Sequence, residues 1–137
     1  MNGAAGAPQL RAAAFAAMAN AHAPYSRFRV GAALETDSGV IVSACNVENA
    51  AYPLSVCAEQ AAVAAAVAQG SHRFAALAIA TDGAHPSPPC GACRQVLAEF
   101  GDIPIISYSS NGHSAQWSLS ELLPHPFSAA LLPEDSR

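Results

Sequence analysis

The run Phe74-Ala75-Ala76-Leu77-Ala78-Ile79-Ala80 is apolar at every position. Successive side chains of a strand point to opposite faces, so a strand with one wet face alternates apolar and polar residues. This run does not alternate, and it predicts a central strand covered on both sides. Its neighbours are suited to covering it. Cys57 to Gln69 reads as a helix that is apolar all the way round, closed by Gly70. Cys90 to Phe100 reads as a further helix and Ile103 to Tyr108 as another strand. Helix and strand in alternation argue an α/β sheet with helices laid over it.

The first half carries a helix over Gln9 to Ala21, with Leu10, Ala13, Ala14, Ala17 and Met18 on one side. Strands follow over Arg27 to Glu35 and Val40 to Cys45, joined through Thr36-Asp37-Ser38-Gly39 as a hairpin. Asn46 to Ser55 and Thr81 to Pro89 read as loops. Gln116 to Leu119 reads as a short edge strand, and Ser120 to Leu123 as a helical turn stopped by Pro124. Met1 to Pro8 and Pro133 to Arg137 are expected to be loose ends of one domain spanning 1–137. Hydrophobic residues make up 52% of the chain and charged ones 12%, which suits a well-buried fold or one that hides more surface by self-association. The net charge is −4 and lysine is absent, so a phosphate-binding surface for nucleic acid is not expected. No segment reads as an export signal or is long enough to span a bilayer. A cytoplasmic setting is therefore expected, where thiols stay reduced, and the four cysteines need a reason other than two disulfides.

Pro88-Pro89-Cys90-Gly91-Ala92-Cys93 sets a Cys-x-x-Cys at a helix start, fixed there because proline cannot extend the helix backwards. Residues three apart share a helical face, so both sulfurs can reach one metal. Val96, Leu97 and Phe100 continue the Cys93 side and turn Cys93 toward the core. Alone, the pair is as readily a redox couple or two core thiols. Cys57 offers a third sulfur, also at a helix start. Helix N-termini favour negative charge, and so favour thiolate, the form that binds metal. Three thiolates and an open position form the pattern of a catalytic zinc, whose fourth place can hold a water made acidic by the metal. Glu59 lies two residues beyond Cys57. First-turn side chains lean toward the N-terminal end, so Glu59 can reach that water and pass its proton to a leaving group. Cys45 reads as a small core residue, and the histidines at 22, 72, 85, 113 and 125 as solvent-facing.

These motifs are joined by Ala23-Pro24-Tyr25-Ser26, Phe28-Arg29-Val30-Gly31-Ala32-Ala33, Cys45-Asn46-Val47-Glu48-Asn49-Ala50, Pro89-Cys90-Gly91-Ala92-Cys93-Arg94-Gln95 and Leu122-Leu123-Pro124. Together they resemble the small zinc-dependent cytidine deaminases. The resemblance implies a three-layer α/β/α fold around a mixed sheet of about five strands. It implies hydrolytic deamination of cytidine and deoxycytidine to uridine and deoxyuridine with release of ammonia, a reaction of pyrimidine salvage. It also implies one Zn²⁺ per subunit on Cys57, Cys90 and Cys93, with Glu59 as proton shuttle. Asn46 and Glu48 would hold the sugar, the backbone of Ala58 would touch the pyrimidine, and Phe28 would pack on the base. The family is usually a homotetramer, and Tyr52 and Phe127 match positions that reach into a neighbour's pocket. Gln60 is a departure, because many members carry arginine there to offset thiolate charge; Arg94 and the helix N-termini could share that task. Two other readings are kept: a deaminase of another aminopyrimidine nucleoside, such as a blasticidin-type antibiotic, and a non-enzymatic zinc or nucleoside-binding module. Asn46 and Glu48 favour a plain ribose over the first, and Glu59 speaks against the second.

Overall fold

The computed structural model describes residues 2–134, with side chains from residue 6 onward. Helix α1 (Asn2–Met18) leads to strands β1 (Val30–Thr36) and β2 (Ile41–Cys45). Then come α2 (Ala58–Ala68), β3 (Phe74–Thr81), α3 (Gly91–Ala98), β4 (Pro104–Ser109), β5 (Ser114–Ser118) and α4 (Leu119–Leu122). The strands form one five-stranded sheet in the order β2-β1-β3-β4-β5. β3 and β4 run parallel and the other neighbours antiparallel, so the sheet is mixed. The apolar run is the middle strand. Its Ala76, Ala78 and Ala80 pack under α1 against Leu10, Ala14 and Met18. Its Leu77 and Ile79 point the other way, into a core shared with Ala62, Val63 and Ala66 of α2 and Leu97 of α3. Three α/β/α layers result, as expected.

Small residues let the layers approach closely. A Cβ on Gly31 of β1 would lie 1.9 Å from the Ala14 carbonyl oxygen and 2.6 Å from the Met18 nitrogen, so α1 sits directly on the strand there. At the β1–β2 turn, Gly39 takes φ 86°, a left-handed conformation that glycine adopts without steric cost, and the Thr36 N–H donates to the Val40 carbonyl at 2.8 Å. The expected hairpin is therefore formed.

Some boundaries move. The N-terminal stretch expected to be loose is helical from Asn2, with Pro8 inside the helix; Met1 and 135–137 lie outside the described residues. Alanines at 4, 5 and 7 favour helix strongly, and Gly6 rests against the carboxylate of Glu35. β1 begins at Val30 and not Arg27, because Arg27 takes φ 59° and cannot continue a strand. β5 and α4 begin earlier than expected, divided at Ser118. Its side chain accepts from the Glu121 N–H while Glu121 accepts from the Ser118 N–H, a capping box that starts the helix at Leu119.

Candidate active site

Each of the three clustered thiols is placed by a helix end. Cys57 is the N-cap of α2 and Cys90 the N-cap of α3, with Cys93 in the first turn of α3. The irregular segment before α2 is pinned rather than free. Val47 and Val56 exchange backbone hydrogen bonds at 3.0 and 2.9 Å, and Glu48 donates its N–H to the His22 carbonyl at 2.8 Å. That pinning sets where Cys57 enters the helix. Cys57 and Cys90 sulfurs are 3.9 Å apart and Cys90 and Cys93 sulfurs 3.4 Å, and all three lie within 4.8 Å of one another. Zinc at about 2.3 Å from each of two tetrahedral thiolates would set their sulfurs about 3.8 Å apart. The spacing and donor set therefore fit one zinc ion. Cys45, half-buried and not a full core residue, pairs with Gly31 in the hairpin and is not one of the cluster. All five histidines are exposed.

The thiols are electrostatically unequal. The neighbouring Cys93 and Cys90 thiols bring the Cys57 pKa down to about 6 against the opposing effect of burial. The nearness of Cys57, with burial, pushes the Cys93 thiol upward. Glu59 is 6% exposed, and burial raises its carboxyl to about 7. A carboxyl that gains and loses a proton near neutrality is suited to acid/base work. Gln60 directs its Nε2 to the Cys93 sulfur at 3.6 Å. Arg94 does not act as expected: its Nε donates to the Pro89 carbonyl at 2.8 Å and its Nη1 to the Leu122 carbonyl at 2.9 Å. Among the described contacts it meets no sulfur, and it joins the start of α3 to α4 instead.

A cavity of about 300 Å³ opens beside the sulfurs, lined in part by Phe28, Asn46, Glu48, Cys57, Ala58, Glu59 and Cys90. Most residues singled out in the sequence thus meet at one place. Glu48 stands at its mouth and accepts from the N–H groups of Tyr25 at 3.0 Å and Ser26 at 3.1 Å and from the Ser26 hydroxyl. The Ser26 hydroxyl bond chiefly holds the Glu48 carboxyl below its ordinary range. Asn46 is partly committed to the fold: its Nδ2 donates to the Phe28 carbonyl at 2.8 Å and its Oδ1 accepts from Val30 at 2.9 Å. One N–H of that amide remains for a ligand. Ser26 and Thr81 also line the cavity and were given no role from sequence. A serine after a turn tyrosine and a threonine ending an apolar strand carry no signal of their own.

Tyr52 and Phe127 lie apart from the cavity wall. Tyr52 is 70% exposed and stacks edge-on to Tyr25, with ring centroids 5.8 Å apart. Phe127 is 60% exposed, yet its backbone is held: Gln95 donates to the Phe127 carbonyl at 2.7 Å and accepts from its N–H at 3.1 Å.

Three converging thiols and a buried carboxyl, set beside a cleft on a mixed α/β sheet, define a zinc-dependent hydrolytic site. Residues 7–109 match the family described as the cytidine and deoxycytidylate deaminase zinc-binding region, and the chain belongs to that family. It is 46% identical over 110 residues to a cytidine deaminase of Sporosarcina psychrophila, covering 79% of this chain and 81% of the relative. The crystal structure of a cytidine deaminase from Burkholderia pseudomallei superposes with a TM-score of 0.84 at 44% identity, covering 88% of this chain and 98% of that one. A blasticidin-S deaminase of Bacillus cereus is more distant, 28% identical over 110 residues, covering 72% of this chain and 76% of the relative.

Proposed function

We infer that this protein is a zinc-dependent enzyme that hydrolyses cytidine and deoxycytidine to the corresponding uridines and ammonia. The observation that carries the reading is the joint placement of three sulfurs within 4.8 Å and a nearly buried Glu59 beside one cavity. Cys57, Cys90 and Cys93 would hold the zinc, which supplies the Lewis acidity that makes water a nucleophile near neutral pH. Glu59 takes a proton from the attacking water and delivers it to the departing amine, an exchange suited to a carboxyl raised to about 7. The side chain of Phe28 packs on the pyrimidine, and the backbone of Ala58 touches its edge. Glu48, ionised and fixed by Ser26 and Tyr25, accepts from a sugar hydroxyl, and the free N–H of Asn46 donates to it. Gln60 stabilises the Cys93 thiolate by a neutral hydrogen bond.

The active unit is a homotetramer in which neighbours contribute Tyr52 and Phe127 to each other's pockets. Large exposed apolar side chains at Tyr52, Leu54, Phe127 and Leu131 support that reading. Thiols that must stay reduced to hold a metal suit the cytoplasm. Among the described residues, no helix is long and apolar enough to cross a membrane. The blasticidin-type alternative is the weaker one, because the pinned Glu48 and Asn46 suit a sugar with free hydroxyls. The test is release of uridine and ammonia from cytidine, with and without a zinc chelator and against blasticidin S. Chelator-sensitive turnover of cytidine is expected; turnover of blasticidin S alone, or of neither, would overturn the reading.

A further inference from the structure

Thr81 is the last residue of β3 and points to the same face as Leu77 and Ile79, toward α2 and α3. It is 1% exposed and lines the cavity, yet among the described residues its hydroxyl has no hydrogen-bond partner. Its backbone lies within the sheet, between Val30 of β1 and Ser109 of β4, and its carbonyl accepts from the Ser110 N–H at 3.0 Å. The place is the carboxyl end of a central strand, where open α/β sheets bind ligands. A Cβ on Gly83 would lie 3.3 Å from the Phe28 ring and 3.9 Å from the Thr81 hydroxyl oxygen, so both side chains border the space beside Gly83, and both line the cavity.

A buried hydroxyl without a partner destabilises a fold, and valine has nearly the same shape without that penalty. Ser107 on β4 is a useful contrast. It is also buried with an unpartnered hydroxyl and faces the same way, but it does not line the cavity. We propose that the Thr81 hydroxyl forms a hydrogen bond with the pyrimidine base of the bound nucleoside and so helps to select an aminopyrimidine. Its oxygen is covered in the free protein. Threonine occupies staggered wells, and a turn of about 120° carries its hydroxyl into another well without moving the backbone. A hydroxyl both donates and accepts. It can therefore serve a ring that carries an amino donor before reaction and a carbonyl acceptor after it.

The proposal rests on the deaminase reading, and one set of variants separates the two. The zinc-loaded parent, Thr81→Val, Thr81→Ser and Ser107→Ala are compared in kcat/KM for cytidine, zinc content and Tm. Thr81→Val is expected to lower kcat/KM by roughly 3–15-fold, the range for one lost hydrogen bond. Its Tm should rise by roughly 2–5 °C, with zinc retained. Thr81→Ser keeps the hydroxyl and should stay within about twofold of the parent. Ser107→Ala should leave kcat/KM unchanged. Parent-like kcat/KM in Thr81→Val overturns the proposal. So does an equal fall in Thr81→Ser or Ser107→Ala, or loss of zinc from Thr81→Val. A parent that releases no uridine defeats the functional reading itself, and the proposal with it.

Discussion

A carboxyl group placed where water is scarce keeps its proton to higher pH, and Glu59 shows this at the first turn of α2. The consequence is chemical. An ordinary exposed glutamate is almost wholly ionised at pH 7 and returns a proton poorly, whereas one near 7 can work in both directions. Glu59→Gln keeps the shape and removes that exchange. Turnover of cytidine should fall by at least ~10²–10⁴-fold with zinc content unchanged; a zinc-loaded variant working at the parent rate would show that the proton travels elsewhere. Gln60 and Arg94 make a second pair of expectations, separated by where their donors point. Arg94 holds two backbone carbonyls, so Arg94→Gln should cost about 2 kcal/mol in denaturant unfolding and leave chelator resistance intact. Gln60→Arg places a permanent charge beside Cys93, where a charge-assisted hydrogen bond is roughly twice as strong as a neutral one. Zinc loss to chelator should slow. If Arg94→Gln strips the zinc and Gln60→Arg has no effect, the charge balance runs through Arg94 after all.

Elements bring those residues together, and the sheet is assembled with little tolerance. α1 crosses β1 at Gly31, where any side chain would meet the helix backbone. Gly31→Ala must push α1 away and should destabilise by about 3 kcal/mol, more than the usual cost of an added core methyl because backbone cannot rotate aside. Denaturant melts measure it, and a loss under 1 kcal/mol would mean that α1 is loosely held. How much of this was legible in the sequence follows from the same physics. The unbroken run Phe74 to Ala80 gave away the central strand, because nothing but cover on two faces explains it. Prolines before Cys90 and glycine after Gln69 gave helix ends nearly to the residue. The Cys57, Glu59, Cys90 and Cys93 constellation was legible because few arrangements use three thiols and a carboxylate at helix starts. The early start of α1 was hidden, since Pro8 and the glycines at 3 and 6 argue against a helix, and the alanines at 4, 5 and 7 outweigh them. The commitment of Arg94 to carbonyls was hidden as well. An arginine beside a cysteine says nothing about the distant carbonyl of Leu122 until α4 folds back.

At the scale of the whole molecule, two features reach beyond the chain's own packing. The first is the metal, because Cys57 and the two α3 cysteines come from separate helices with β3 between them in sequence. An ion held by all three would cross-link α2 to α3, so chelation should lower Tm as well as abolish turnover, and added zinc should restore both. The second is the exposed apolar surface. Tyr52, Leu54, Phe127 and Leu131 are each at least 60% exposed. Phe127 is also not a loose tip, for Gln95 grips its backbone from both sides. A large ring held out rigidly loses little freedom when another surface closes over it, which is the condition for efficient association. If that surface is a second copy, sedimentation of the zinc-loaded protein should give a tetramer at micromolar concentration. Phe127→Ala should then weaken assembly and raise KM for cytidine more than it lowers kcat, because the ring would complete the binding wall and not the proton path. Gln95→Ala should mimic it in part by releasing the segment while leaving the ring in place. A monomer with full activity, or a Phe127→Ala protein whose KM is unchanged, would show that each cavity is complete within its own chain.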